Sequence, residues 1–183
     1  AYVYPIDRDG TERKWRYARQ SVDAIAGLLK ARKDANGFQI EIGKNFGLYK
    51  SVWNDTRYDS NEYGTKIVND LVVGGGFTYP KSLWAVYDPV EAVTEDDPNA
   101  IILDFFAGSA TTAHAVAQLN AKVGGNRRSF MVQVPQPVDP ELESYKNGFH
   151  TIAEISKERI RRAAQKILEG ECHPDWNKDV GFR

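Results

Sequence analysis

The residues best placed for chemistry lie in a turn, Ala107-Gly108-Ser109, that follows the nearly continuous apolar run Ala100-Ile101-Ile102-Leu103-Asp104-Phe105 and leads into Thr111-Thr112. A run of that length and composition predicts a parallel strand buried on both faces. Thr111 to Asn120 is alanine-rich and predicts a helix that ends before Gly124-Gly125-Asn126, and Ser129 to Val134 predicts a second strand. Strand, glycine-containing turn, helix and strand make a βαβ unit with an expected right-handed crossover. At the carboxyl end of such a strand a turn without bulky side chains leaves backbone amides open at the next helix N-terminus, where free N–H groups and the positive dipole end converge. Gly108 and Ser109 supply that turn. A G-x-G-x-x-G dinucleotide fingerprint and a Gly-Lys-Ser/Thr phosphate loop are both absent. Taken alone, the turn fits a nucleotide-like ligand at a switch point or a tight turn of purely structural purpose.

Other elements must hold this turn in place. Asp9-Gly10 between short mixed stretches with Tyr4, Ile6, Trp15 and Tyr17 predicts a hairpin within residues 1–18. Val22, Ile25, Ala26 and Leu29 at helical spacing predict a helix from Ser21 to Lys33, ended by Asn36-Gly37. Residues 38–53 alternate as a strand does, and the polar, aromatic stretch Asn54 to Tyr63 predicts an exposed loop. Ile67, Leu71 and Val72 suggest a short helix broken by Gly74-Gly75-Gly76. Phe77 to Tyr79 should be extended up to Pro80, which suits a first helical turn, and a helix should then run from Ser82 to Val93 despite Pro89. Thr151 and Glu154 stand in capping-box spacing before the apolar periodicity Ile152, Ile155, Ile160, Ala163, Ala164 and Ile167, which stops at Gly170. Lys157, Arg159, Arg161, Arg162 and Lys166 make this last helix basic, read either as a solvated face or as a phosphate or partner contact.

Composition sets the outer bounds. With 183 residues and 42% hydrophobic content the chain can bury one core. A net charge of -1 gives no global attraction to nucleic acid, so a DNA contact would need local patches. One cysteine, Cys172, and three scattered histidines show neither a disulfide framework nor metal-ligand spacing. No apolar run reaches membrane-span length and the first residues lack signal-peptide character, so the expected location is the cytoplasm.

The stretch from Asp104 to Val116 resembles the cofactor-binding motif I of β-class amino DNA methyltransferases, whose core is Phe-x-Gly-x-Gly. Phe106, Ala107, Gly108 and Ser109 fit, and Ala110 stands where a second glycine is usual. Phe77-Thr78-Tyr79-Pro80-Lys81-Ser82 resembles motif X, which precedes motif I in this permuted class. The segments Gly124 to Gln136 and Ile155 to Ala163 are more narrowly similar to Mod subunits of Type III restriction-modification systems. The resemblance implies a partial Rossmann-like α/β sheet of the S-adenosylmethionine-dependent methyltransferase kind, with an N-terminal α+β segment. Residues 76–183 would be the cofactor-binding part and residues 1–75 the tail of the target-recognition region. It implies S-adenosylmethionine as cofactor, held by Lys81, Ser82, Asp104, Phe105, Phe106, Ala107, Gly108, Ser109, Thr111, Thr112 and Gln136. Among these, Phe106, Gly108 and Ser109 would line the pocket, Asp104 and Lys81 orient the amino acid end, and Gln136 reach the ribose where the family has a Glu.

The family activates an exocyclic amine with Asp/Asn-Pro-Pro-Tyr, and the eight prolines of this chain all stand singly, so that motif is absent. In the β order it precedes motifs X and I, so its absence is what an N-terminal cut would produce, and an internal fragment without activity of its own is expected. The implied parent is an adenine-N6 DNA methyltransferase with DNA, a second Mod subunit and a Res restriction subunit as partners. Cytosine-N4 methylation is the alternative within enzymes. A non-catalytic module is the alternative outside them, using the basic helix and the aromatics Trp53, Tyr58 and Tyr63, interleaved with Arg57 and Lys66, to hold DNA or a partner.

Overall fold

A computed structural model describes residues 3–7, 9–34, 37–43 and 51–182. Two compact units divide the chain, Ala1–Val52 and Trp53–Arg183.

In the first unit Ile6 and Glu12 form an antiparallel bridge around the Asp9-Gly10 turn, and Gly10 takes a positive φ, as the expected hairpin requires. Helix α1 (Arg19–Ile25) is shorter than its sequence suggests. It tightens into a 3-10 turn, and the next residues enter strand β1 (Leu29–Asp34), which pairs antiparallel with β2 (Gly37–Ile42). The expected helix through Lys33 is therefore corrected. Leu29 to Lys33 are competent helix formers, but pairing with the β-branched Ile40 and Ile42 decides their conformation, with Ala31 opposite Ile40 and Leu29 opposite Ile42. Gly37, expected to end a helix, pairs with Asp34 at a φ of 119° and closes the hairpin instead. Tyr2, Arg8, Asn36 and the strand reading for 44–50 lie outside the described residues.

The second unit carries the βαβ unit as read. Strand β3 (Ile101–Phe105) is followed by α4 (Thr111–Val123) and β4 (Arg128–Val132), and the two strands pair in parallel with Leu103 opposite Phe130 and Phe105 opposite Val132. Helices α2 (Lys66–Leu71), α3 (Leu83–Thr94), the single turn α5 (Glu143–Lys146) and α6 (Ile152–Glu169) complete it. Alanines at 113, 115 and 121 keep α4 slim and bury it. Leu83 and Tyr87 of α3 close on Ala115 and Leu119, whereas Ile155 and Ala163 of α6 share a cluster with Leu71, Val72 and Val138. Each large side chain fully buried there contributes about 1.5–3 kcal/mol. Pro89 sits inside α3, which nevertheless continues to Thr94. The α6 capping box forms as its spacing predicts, with Thr151 Oγ1 accepting from the Glu154 amide and the Glu154 carboxylate accepting from the Thr151 amide.

Burial of β3 on both faces is corrected. Ile101, Leu103 and Phe105, with Phe130 and Val132 of β4, are exposed, while Ile102, Asp104, Ser129 and Met131 are half-buried. The described residues supply helices for one face of the pair only. The stretch Asn54 to Tyr63 is largely exposed as expected, but it holds the 3-10 turn Thr56–Tyr58 and the start of the π-helical Asn61–Thr65 where an irregular loop was expected. The turn is anchored on α3, because the buried Asp88 accepts from Arg57 Nη2 at 2.7 Å and from the Tyr58 hydroxyl at 2.5 Å. Arg57 also lies 4.7 Å from the Trp84 ring centroid. That bond to Asp88 pushes the Tyr58 pKa up to about 12.

Candidate functional site

Three residues of the turn after β3 have positive φ: Phe106 at 77°, Gly108 at 56° and Ala110 at 59°. Only the middle one is a glycine, so Phe106 and Ala110 hold a left-handed conformation at a cost of about 1–2 kcal/mol each. The surroundings fix that backbone. The amides of Phe106 and Ala107 both donate to the Val132 carbonyl, at 2.9 and 3.0 Å, and the Ala110 amide donates to Ala107 O at 2.8 Å. The Gly108 amide donates to Gln133 Oε1 at 2.7 Å. A Cβ on Gly108 would stand 3.1 Å from Phe77 Cζ, so the motif X phenylalanine packs over the motif I glycine.

Helix α6 grips the turn from below. Ser156 Oγ donates to the Gly108 carbonyl and, at 2.8 Å, to Ile152 O of its own helix. Arg159, 0% exposed, places Nη1 at 3.2 Å from Ser109 O, 2.7 Å from Ser109 Oγ and 2.8 Å from Thr111 Oγ1. Its Nε and Nη2 find no acceptor among the described residues, and burial lowers its pKa to about 10. The expectation of Arg159 on a solvated or phosphate-binding face is thereby corrected, while Lys157, Arg161, Arg162 and Lys166 are exposed as expected.

The predicted site residues divide by where their polar groups go. Thr112 Oγ1 donates to Asp104 Oδ2 at 2.5 Å, joining the end of β3 to the first turn of α4. Ser109 is 3% exposed and its hydroxyl is taken by Arg159 and Thr111, so only its backbone remains for a ligand. The buried Ser82 donates its hydroxyl to Arg57 O at 2.8 Å. Phe106 is 77% exposed, Phe105 and Lys81 are exposed, and Ala107 and Thr111 are buried. Gln136 is exposed and contributes backbone bonds alone, its amide to Val134 O and its carbonyl to Ile152 N. The amides of Ser109, Thr111, Thr112 and Ala113 have no acceptor among the described residues. This is the donor set an anion or an acceptor-rich ligand meets at the head of the 13-residue α4.

Motif X departs from its expected course. Tyr79 has a φ of 57°, which kinks the segment before Pro80, and α3 begins only after the extended Ser82, so Pro80 lies outside the helix. Gly64 permits this path, because a Cβ there would approach Lys81 O at 3.0 Å. Sequence reading missed Gln133, Ser156, Arg159 and Phe77 as supports of the turn. A signal existed for Gln133, which shares its strand face with Met131 and Ser129. A cleft of about 390 Å³ opens elsewhere, between α2, α4 and α6, and shares none of the turn residues. Among the described residues no helix is long and apolar enough to cross a membrane and no His/Cys/Asp/Glu group could hold a metal ion.

A parallel strand, a glycine turn and a following helix whose first amides are free among the described residues are the elements that open α/β sheets place at their ligand sites. Residues 11–166 match the DNA methylase family model, and the chain belongs to that N6/N4 DNA methylase family. It is 34% identical over 191 aligned residues to the Mod subunit of the Type III restriction-modification enzyme StyLTI of Salmonella typhimurium, covering 100% of this chain and 28% of the relative. It is 32% identical to the Type II methyltransferase M.KpnI of Klebsiella pneumoniae, with 86% of this chain and 38% of the relative covered. The Mod subunit of the Type III enzyme EcoPI of Escherichia phage P1 is 30% identical, with 90% of this chain and 26% of the relative covered. The chain thus spans well under half the length of these relatives, and the homology to Type III Mod subunits runs along the whole of it.

Proposed function

We propose that this chain is the S-adenosylmethionine-binding part of a site-specific DNA methyltransferase that methylates adenine at N6 within a Type III Mod polypeptide. The observation that carries the reading is the turn of residues 104–112, whose glycine, free amides and Asp104–Thr112 pair stand at the head of α4. The donor chemistry fits the cofactor: amides of Ser109, Thr111 and Thr112 for acceptor oxygens, Asp104 and Lys81 for the amino acid end, Gln136 for the ribose, and Phe106 as exposed aromatic surface. Bound there, S-adenosylmethionine would supply an electrophilic methyl group. The residues that activate the amine belong to a motif this sequence does not contain, so the chain by itself is expected to bind and not to turn over.

Residues 1–75 are proposed as the tail of the target-recognition region. Residues 1–52 carry ten Lys and Arg against six Asp and Glu, whereas the whole chain has 24 against 25. Exposed Tyr4, Trp15, Tyr17 and Phe38 stand among those cations, a composition that favours contact with DNA. The family similarity extends the proposal to a second Mod subunit and a Res subunit as partners. Cytosine-N4 methylation remains the alternative reaction, and mass spectrometry of nucleosides from DNA methylated by the full polypeptide distinguishes the two. Calorimetry on that polypeptide tests the site: Gly108→Trp should abolish S-adenosylmethionine binding, and unchanged affinity would refute the assignment. Salt-dependent DNA binding with no response to the cofactor would favour a non-catalytic module instead.

A further inference from the structure

The strongest unassigned feature is the buried guanidinium beneath the turn. Taking such a charge out of water costs several kcal/mol unless specific bonds offset it. No carboxylate pairs with Arg159 among the described residues, and all its bonds go to one target, the oxygens of Ser109 and Thr111. One helical turn earlier, Ser156 takes the carbonyl of Gly108. Two consecutive carbonyls of the turn are therefore held by one helix.

Peptide planarity gives this grip a direction. In a trans peptide the N–H points opposite to the C=O it is bonded to. With the Gly108 carbonyl drawn to Ser156, the Ser109 amide is turned away from α6 and left without a partner. With the Ser109 carbonyl drawn to Arg159, the Ala110 amide is turned away as well and closes the turn on Ala107 O at 2.8 Å. The hydroxyls of Ser109 and Thr111 both accept from Arg159, and α4 has no side-chain cap.

We infer that Ser156 and Arg159 are positioning residues of the ligand site, a clamp on α6 that orients the amides at the head of α4 toward the bound cofactor. The inference rests on the S-adenosylmethionine reading above and assigns those residues no contact with the cofactor.

The test compares Ser156→Ala, Arg159→Lys and Arg159→Met in the full polypeptide. Its readouts are S-adenosylmethionine affinity by calorimetry, KM for the cofactor against kcat, DNA affinity without cofactor, and far-UV circular dichroism. A lost charge-assisted bond predicts a cofactor Kd raised about tenfold in Arg159→Met and about threefold in Ser156→Ala. Arg159→Lys, which keeps a donor near Ser109 O, should recover most of the loss. Cofactor KM should move with Kd, while kcat at saturation and DNA affinity stay within about twofold. Should Arg159→Met fail to fold, the other two variants carry the comparison. Variants that fold and bind the cofactor as the parent does would overturn the clamp and leave the functional reading standing. Equal losses in DNA affinity and kcat would overturn it too, as general destabilisation. A parent that binds no S-adenosylmethionine would overturn the functional reading itself.

Discussion

Replacing Gly108 by alanine isolates what the turn demands of its backbone. At a φ of 56° an added Cβ costs about 1–2 kcal/mol, because it crowds the carbonyl oxygen in the left-handed region. The same Cβ meets Phe77 Cζ at 3.1 Å, short of the roughly 3.5–4.0 Å at which carbon atoms pack comfortably, so the ring must retreat. Overpacking of this kind costs about 1 kcal/mol or more, against about 0.4–1 kcal/mol regained because alanine restricts the unfolded chain. The net expectation is a loss of about 1–3 kcal/mol, read from urea titrations as a lower midpoint at unchanged slope. Gly148 provides the control, since its φ is 93° but a Cβ there meets nothing within 4 Å. Gly148→Ala should show the conformational cost alone. A Phe77→Leu background should relieve Gly108→Ala and leave Gly148→Ala unaffected, with a coupling of at least about 0.5 kcal/mol. Equal losses in both alanine variants with no coupling to Phe77 would refute the packing argument, and no loss in either would refute the backbone argument.

Ala110 tests the same turn in the opposite sense. It is fully buried at a φ of 59°, so Ala110→Gly should lie within about 1 kcal/mol of the parent, relief of left-handed strain offsetting the lost methyl and the added chain entropy. The buried Ala113 in regular helix should lose about 2 kcal/mol on the same change, and equal losses at both sites would refute the reasoning. A third prediction concerns pH. His114 lies buried with Nδ1 unpartnered among the described residues, and burial, with the charges of Arg159 and Lys166, pushes its pKa down from 6.5 to about 3. The unfolded chain takes up a proton near pH 6.5 that the folded chain refuses. This contribution is intact above pH 6.5 and lost as pH falls toward 3, by up to about 1.4 kcal/mol per pH unit. Urea midpoints at pH 7.5 and 5 should therefore diverge less in His114→Leu than in the parent, and the same pH dependence in both would refute it.

The second unit was legible where the signal was local. Ile101 to Phe105 form a strand because they are a short apolar run, and α6 begins at Ile152 because the Thr151–Glu154 box satisfies its first amides. The glycine usual at position 110 also gains its reason, since that residue is left-handed and alanine occupies it under strain. Legibility failed where a distant partner decides. Leu29 to Lys33 carry helix-forming side chains, and only the opposite strand makes them extended. Arg57 and Tyr58 read as loop residues until Asp88, thirty positions on, accepts their bonds. Arg159 looked like one more cation on a basic helix, because nothing in its neighbourhood along the chain announces that its face meets Ser109. Gln133 meets the Gly108 amide because strand pleating turns its side chain toward the turn.

These failures share a consequence for the site. Among the described residues, every bond that fixes residues 106–112 comes from Trp53–Arg183, through Val132 and Gln133 at the end of the second strand and Ser156 and Arg159 on α6, and Phe77 packs beside Gly108. The exposed apolar side chains of β3 and β4, those of Leu103, Phe105, Phe130 and Val132, contribute none of them, Val132 acting through its backbone carbonyl alone. Buried parallel strands are apolar on both sides because both are normally covered, so that face has the composition of a covered surface. The direction of the Ser109 amide is set from the opposite side, by α6. Ligand geometry and sheet stability are thereby separable. Leu103→Ala on the outer face should therefore leave the affinity of the turn for S-adenosylmethionine unchanged in calorimetry on the full polypeptide, whereas Arg159→Met should weaken it.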